Sequence, residues 1–172
     1  DRDILYGLLD ENGGMVSVAG AGGSSRDGVY AISARPDNKG LIGGEMSSGT
    51  ATFTLTSGAT QSLTSAGGYA DVWYGLLDEN GGMVSVAGAG GSSTDVLYAI
   101  SARPDNQGLI AGHFEGTITF TLASGSTQSL TSAGEADMWY GLLDASGAFT
   151  SVARAGGSGF DEVQAISSRP DN

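Results

Sequence analysis

The sequence predicts an all-β protein built from repeated antiparallel four-stranded units, with about two and a half repeats in the chain. Three observations predict this class. The chain repeats itself every 66 to 68 residues. Its apolar segments are short, and some alternate apolar and hydroxyl side chains with the period of two that is typical of strands. Glycine supplies 30 of the 172 residues, and no segment carries an apolar 3.6-residue stripe long enough for a helix.

Internal repetition sets the organisation of the chain. One phrase, YGLLDENGGMVSVAGAGGSS, occurs identically at 6–25 and 74–93, and a diverged copy, YGLLDASGAFTSVARAGGSG, begins at Tyr140. Each copy leads into a second phrase, which reads YAISARPDN, YAISARPDN and QAISSRPDN in turn. The array divides into three parts: a partial repeat over 1–38, a full repeat over 39–106, and a full repeat over 107–172 that ends within a unit.

Turn motifs in the second copy of the repeat mark where the predicted strands begin and end. Two β-rich runs flank Asp-Glu-Asn-Gly-Gly, where the Asn-Gly pair predicts a type I′ hairpin turn. A further strand ends at a Pro-Asp-Asn turn with Pro at its favoured second position. A run that alternates Thr with apolar residues then turns at Ser-Gly-Ser and returns. The predicted strands are 72–77, 83–87, 96–101, 109–114, 117–122 and 127–131.

Charge and composition exclude several classes of function. Seven Lys and Arg face nineteen Asp and Glu, which gives a formal net charge of −12. Such a surface repels phosphate backbones and anionic lipid head groups, so we predict no nucleic-acid partner and no membrane insertion. No apolar run approaches the ~18 residues that a spanning helix needs. The chain has no Cys, and therefore no disulfide framework, thiolate metal site or Cys nucleophile.

The sequence offers little for catalysis. His113 is the single histidine, and Glu45 holds its place in the preceding copy. No G-x-S-x-G elbow accompanies it, and the AGAGG phrase lacks the Lys and the helix of a phosphate-binding loop. We predict that the protein is not an enzyme.

The acidic turns are the candidate metal sites. Asp-Glu-Asn-Gly-Gly occurs twice and weakens to Asp-Ala-Ser-Gly in the third copy. Its oxygens suit Ca²⁺, but the further acids of an EF-type loop are absent, and a hairpin turn also requires Asp, Asn and Gly. We predict no cofactor, with Ca²⁺ as the alternative. The candidate ligands are Asp10, Asn12, Asp78, Asn80 and Asp144.

Other residues recur once per repeat. We expect the aspartates to accept backbone N–H groups in turns, the alternative being a ring of carboxylates that binds a cation or a sugar. We expect the aromatic residues to pack between units rather than to stack on sugars, and the arginines to pair with a nearby Asp. The series are Asp3, Asp71 and Asp137; Asp27, Asp95 and Asp161; Tyr6, Tyr74 and Tyr140 with Trp73, Trp139 and Phe120; and Arg35, Arg103 and Arg169.

The order of these motifs resembles the bacterial SBBP-type β-propeller repeat. The resemblance is carried by AGGS with an Asp three residues on, followed by AIS..PDN.GLI.G.F, GT.TF and LTSAG..D.WYG.LD..G. The chain departs from that family where Tyr-Gly-Leu-Leu replaces a polar strand phrase and where Met15, Met83 or Phe149 replaces a Trp. The resemblance implies β-propeller-like blades and a bacterial surface or secreted protein. A closed propeller takes four to eight blades, more than one such chain holds. The match is clearest over 92–95, 100–114, 116–120 and 130–147.

We therefore expect a non-catalytic extracellular or cell-surface β-repeat protein, secreted and in a mature or trimmed form, that serves binding or self-assembly. Its partners would be copies of the same repeat, in a homo-oligomer that closes as a ring or grows as a filament through shared strands. The alternatives are a lectin-like propeller that binds glycan and a propeller-type hydrolase domain. Outer strands at 5–9 and 15–19 and a lone inner strand at 163–168 would leave backbone groups unpaired. The residues expected to carry self-association are Leu5, Tyr6, Leu8, Val163, Ala165 and Ile166.

Overall fold

A computed structural model describes residues 3–23 and 26–169 of the chain. These residues form strands and no helix, which confirms the all-β prediction, and thus no helix that could cross a membrane lies in the described ranges. The strands are β1 (Ile4–Leu9), β2 (Met15–Ala21), β3 (Asp27–Ala34), β4 (Gly40–Ser47), β5 (Thr50–Thr54), β6 (Thr60–Thr64), β7 (Ala70–Leu77), β8 (Met83–Ala89), β9 (Asp95–Ala102), β10 (Gly108–Thr121), β11 (Thr127–Leu143) and β12 (Phe149–Ala155).

The strands form two antiparallel four-stranded sheets and two separate hairpins. The sheets have the orders β3-β4-β7-β8 and β9-β10-β11-β12, and the hairpins are β1-β2 and β5-β6. We call β1–β2 unit 1, β3–β8 unit 2 and β9–β12 unit 3. The predicted boundaries after residues 38 and 106 fall in the turns β3–β4 and β9–β10, so they lie inside the two sheets.

Unit 3 joins strands that unit 2 keeps apart. In unit 2 a Ser48-Gly49 step separates β4 from the hairpin β5–β6, and Gly49 has φ 122°. In unit 3 the chain runs through this region as the continuous strand β10, with only a register shift around Gly116, whose φ is 64°. The copy in unit 3 is two residues shorter than that in unit 2. One residue is missing at this step and the other between residues 67 and 71, where a loop separates β6 from β7 but β11 is continuous.

The hairpin turns differ from the predicted type I′ geometry. In the turn that follows β1, Gly13 N–H donates to the Asp10 carbonyl at 3.0 Å, and Asp10 N–H donates to the Gly14 carbonyl at 2.8 Å. Gly13 has φ 79°, and Asn12 does not share the positive φ that a type I′ turn requires at both central residues. The type I′ prediction is wrong because the Asp10 carboxylate holds the turn from inside, and the left-handed position falls on the glycine alone.

The hydrophobic core lies between successive units. Side chains alternate along β7, so that Trp73 and Leu77 pack towards unit 1 while Val72, Tyr74 and Leu76 pack towards unit 3. The unit 1–unit 2 cluster is Ile4, Tyr6, Ala21, Ile42, Met46, Ala51, Phe53, Trp73, Leu77, Met83 and Val86. The unit 2–unit 3 cluster is Leu41, Val72, Tyr74, Leu76, Ala89, Leu97, Ile110, Phe114, Ile118, Phe120, Trp139, Leu143, Phe149 and Val152.

Aromatic rings hold the second interface together. Phe149 lies edge-on to Tyr74 and Phe120, with ring centroids 4.8 and 5.1 Å apart. The Trp139 indole N–H donates to the Val96 carbonyl at 3.2 Å, so the ring is buried without an unpaired donor. The expectation of core packing is therefore confirmed for Tyr6, Tyr74, Trp73, Trp139 and Phe120, which are buried. Tyr140 differs, since 47% of it is exposed.

We expect Phe149→Ala to lower the free energy of unfolding by about 3–5 kcal/mol, because it removes a fully buried ring and leaves a cavity between units 2 and 3. Urea denaturation followed by tryptophan fluorescence measures the change. Tyr69→Ala is the control, because Tyr69 is an exposed aromatic residue, and its loss should change stability by less than about 0.5 kcal/mol. Equal effects of the two substitutions would contradict an inter-unit core.

Candidate functional site

In each acidic turn, the Asp carboxylate accepts hydrogen bonds from backbone N–H groups of the same turn. Asp10 Oδ1 accepts the N–H groups of Asn12 and Gly14 at 2.8 and 2.7 Å. Asp78 repeats this pattern with Asn80 and Gly82, and Asp144 accepts from Ser146 and Ala148. Within the described residues, no group of three or more His, Cys, Asp or Glu side chains is placed to hold a metal ion. The geometry gives these aspartates a structural task in the turn.

We expect Asp78→Ala to lower the free energy of unfolding by about 1 kcal/mol, because two backbone N–H groups lose their acceptor. The loss should be the same in EDTA and in millimolar Ca²⁺, and thermal melts measure it. A melting temperature that falls on chelation in the unsubstituted chain, but not in Asp78→Ala, would instead show that the turn binds metal.

The arginines before Pro-Asp-Asn act within their turns and across units. Arg35 pairs with Asp37 at 2.8 Å and also donates to the Ala145 carbonyl of unit 3 at 2.9 Å. Arg103 pairs with Asp105 at 3.1 Å and is less buried than Arg35. The expected ion pair with a nearby Asp is therefore present at both positions. The third member, Arg169, has no described ion pair.

A buried carboxylate stands at the start of β7 and at the equivalent point of β11. Asp71 accepts the N–H groups of Ala66 at 2.6 Å and Gly91 at 3.2 Å, and Asp137 accepts that of Ala133 at 2.9 Å. These bonds confirm, for Asp71 and Asp137, the expectation that the recurring aspartates accept backbone N–H groups, and Asp161 likewise accepts the Gly157 N–H at 2.8 Å. Gly90 is required beside Asp71, because a Cβ at that position would collide with the carboxylate.

Asp95 lies beside Asp71 and is fully buried, with no hydrogen-bond partner within normal geometry for either carboxylate oxygen. Burial raises its pKa to about 8, and the charges of Asp71 and Glu115 act in the same direction. Burial likewise raises the pKa of Asp71. Two carboxylates are thus held in an interior where, among the described ion pairs, neither has a cationic partner.

We expect Asp95→Asn to make the chain more stable than the unsubstituted protein at pH 9. The native state keeps the Asp95 proton up to about pH 8, whereas an unfolded chain releases it near pH ~4. The stability that this proton gives is therefore present below pH ~4 and lost as the pH rises to about 8. Urea denaturation from pH 4 to 9 measures the difference between the two proteins. A difference that does not grow with pH would contradict the assignment, and the exposed-turn variant Asp105→Asn is the control.

His113 is packed among aromatic rings rather than within a catalytic group. Its ring lies 5.3 Å from that of Tyr98 and 5.2 Å from that of Phe160. The Nδ1 atom has no hydrogen-bond partner, and burial lowers the pKa of the imidazole. The structure thus does not bring His113 together with a Ser and an Asp.

The C-terminal segment 161–169 lies against β9 without forming a strand. Ser168 N–H donates to Ser101 Oγ at 3.0 Å, just as Ala102 N–H donates to Ser33 Oγ at 2.9 Å where β9 meets β3. The predicted lone strand at 163–168 is therefore extended but has no ladder, because no strand equivalent to β4 or β10 lies beside it. Val163 and Ile166 are half-buried, and Ala165 is exposed.

Unit 1 presents an apolar face that the other units bury. Leu9, Met15 and Val18 are 56%, 66% and 58% exposed, and Leu5 is 72% exposed. Their counterparts in unit 2 are Leu77, Met83, Val86 and Trp73, which are 4%, 1%, 3% and 0% exposed. We call Leu5, Leu9, Met15 and Val18 the leading face.

The leading face only partly matches the residues expected from the sequence. Leu5 belongs to it, but Tyr6 is buried against unit 2 and Leu8 is half-buried, so these two are not exposed for association. Sequence reasoning missed Leu9, Met15 and Val18. The sequence did contain a signal for them, because each is identical to the residue at the same position of the next repeat.

Neither protein-family models nor curated proteins give a match to this chain.

Proposed function

We propose that the protein is a non-catalytic β-repeat module that associates head to tail with copies of itself. The observation that carries this proposal is the leading face, whose side chains are exposed in unit 1 and buried at the equivalent positions of units 2 and 3. Inside the chain, that face is covered by the preceding unit. A second copy of the chain carries the surface that would cover it.

The complementary surface lies at the other end of the array. Met138, Tyr140 and Leu142 of β11 are the counterparts of Val72, Tyr74 and Leu76, which pack against unit 3. We call Met138, Tyr140 and Leu142 the trailing face. Tyr140 is 47% exposed, whereas Tyr74 is 3% exposed. Contact between the trailing face of one copy and the leading face of the next would repeat an interface that the chain already contains.

The strands β3 and β9 and the segment 161–169 follow one another in the same order as the units, and this order sets which end of one copy would meet which end of the next. β3 contacts β9, and the segment 161–169 lies on the far side of β9 with the same serine-to-backbone bond. In a head-to-tail pair this segment would lie at the inner edge of a shared unit, whose outer strands are β1 and β2 of the neighbouring copy. The described residues of the two copies include no strand equivalent to β10 at this place, so we expect side-chain packing to hold the junction between them.

Successive units of this kind would act as β-propeller-like blades. Head-to-tail contacts close into a ring where the rotation between copies divides a full turn, and form a filament otherwise. We place the assembly at the cell surface or outside the cell on the strength of the motif resemblance. The net charge of −12 makes copies repel one another, so association should strengthen with salt while the apolar contact persists.

Two charge substitutions test the proposal. We expect the unsubstituted chain to sediment as oligomers at tens of micromolar in 0.5 M NaCl, and Val18→Glu and Tyr140→Glu each to sediment as monomers, because each buries a charge in the contact. A mixture of the two variants should form a one-to-one dimer, since one retains a trailing face and the other a leading face. Analytical ultracentrifugation measures all four samples.

Val16→Glu is the matched control. Val16 is 58% exposed, and its counterpart Val84 remains 40% exposed although unit 2 is covered, so this position lies outside the contact. The control should associate like the unsubstituted chain. A monomeric unsubstituted chain, or a mixture of the two face variants that stays monomeric, would refute head-to-tail association.

A further inference from the structure

A cavity of about 250 Å³ lies at the junction of units 2 and 3, beside the buried Asp71. Its wall includes Gly88 and Gly90 from unit 2 and Thr119 from unit 3. Met46 and Leu63 supply apolar surface. The combination is a carboxylate at one side of a small space with both polar and apolar walls.

The same cavity recurs one repeat earlier. Asp3, Gly20 and Gly22 of unit 1, with Thr52 of unit 2, line a cavity of about 380 Å³. Asp3 corresponds to Asp71, Gly20 to Gly88, Gly22 to Gly90, and Thr52 to Thr119. An arrangement that recurs with the same residue types is a property of the repeat and not an accident of one loop.

In unit 3, an arginine side chain stands at the position equivalent to the cavity glycine of units 1 and 2. Opposite Trp139 in the β11–β12 ladder stands Arg154, at the position that Gly88 holds opposite Trp73 and Gly20 holds opposite Leu5. The Arg154 guanidinium donates to Asp137 Oδ2, and Asp137 is the counterpart of Asp71. The third copy thus carries its own guanidinium on the carboxylate, whereas the first two copies have glycine and an open cavity.

We propose that the cavity beside Asp71 binds a guanidinium-bearing ligand, whose N–H groups pair with the Asp71 carboxylate and whose alkyl stem lies against Met46 and Leu63. Asp71 accepts hydrogen bonds from its own turn, including the Ala66 N–H on Oδ2. The equivalent oxygen of Asp137 accepts the Ala133 N–H and the Arg154 guanidinium together, so this carboxylate position accommodates a guanidinium beside its backbone donors. Among the described ion pairs, none provides a cation to Asp71, whose carboxylate is therefore the group that a guanidinium would neutralise. The net charge of −12 also raises the local concentration of cations.

Glycine at position 88 keeps the cavity open, and arginine there would close it. A Cβ at Gly88 would lie 3.4 Å from Met46 Cε and 3.3 Å from the Val72 carbonyl oxygen, a tight contact that a small shift relieves. Gly88→Arg therefore places a tethered guanidinium where Arg154 places one in unit 3. Gly88→Ala carries the same Cβ without the charge and is its matched control.

The test titrates n-butylguanidinium into the isotopically labelled protein and follows backbone amide shifts by NMR. We expect saturable shifts around Asp71 and Gly90, and no saturable shift with the neutral isostere n-butylurea.

Gly88→Arg should weaken binding at this site by roughly tenfold or more, the worth of a charge-assisted hydrogen bond, while Gly88→Ala retains it. Arg154→Gly should add saturable shifts around Asp137. A capped Gly-Arg-Gly peptide is titrated in parallel: tighter binding of the peptide assigns the cavity to an arginine side chain, and tighter binding of n-butylguanidinium assigns it to a small molecule.

Three results would overturn the proposal. Equal binding of n-butylurea would show an apolar cavity without a role for the carboxylate. Saturable shifts with Ca²⁺ but not with n-butylguanidinium would make it a metal site. Undiminished binding in Gly88→Arg would place the ligand elsewhere. Asp71→Asn is a further variant that should abolish binding, and the two Gly88 variants keep the test decisive if loss of the buried carboxylate unfolds the chain.

Discussion

Burial of apolar side chains between successive sheets is the constraint on which the structure depends. A four-stranded sheet of short strands cannot bury enough apolar surface alone, and here the side chains of β7 alternate between the clusters on its two sides. Each junction between units therefore buries apolar surface that a single sheet would leave exposed. The core is a series of interfaces, as in other repeat proteins, where stability is approximately a sum over units and nearest-neighbour contacts.

Close approach between units explains the Gly-Gly doublet that follows β8. A side chain at Gly90 would collide with the Asp71 carboxylate, and one at Gly91 would collide with the Thr117 backbone of unit 3. The doublet thus lets a carboxylate and a neighbouring backbone approach from opposite sides. The consequence is a polar group buried at every junction, where low dielectric makes an unpaired charge costly. A raised pKa favours the protonated form of Asp95, backbone N–H groups bind Asp71, and a backbone N–H together with the Arg154 guanidinium binds Asp137.

The sequence predicted where strands form but did not predict which strand faces are buried and which are exposed. Glycine density and period-two runs such as 117–122 predicted an all-β chain, because these depend on local backbone preferences. The turn type at Asn12-Gly13 was mispredicted, since the Asp10 carboxylate decides between turns that share the same residue types. The exposure of Leu9 and the burial of Tyr6 depend on which units lie beside the strand, and neither follows from periodicity alone. Asp95 was placed among turn aspartates, yet its burial beside Asp71 becomes visible only when two strands meet.

Because the copies are nearly identical, a single residue that differs between them can be linked directly to a difference between junctions. Where a position is the same in two units and different in the third, the difference acts on one junction while the fold remains constant. Gly88 and Arg154 are such a pair, because Gly20 matches Gly88. Glu45 and His113 differ between the two copies that contain this position, and both exchanges change the charge next to buried groups. His113 brings a ring that packs on Tyr98, whereas Glu45 brings a carboxylate that pairs with Arg26 at 3.5 Å. Repetition therefore supplies the scaffold, and the few positions that break it change which charged and aromatic groups lie at each junction.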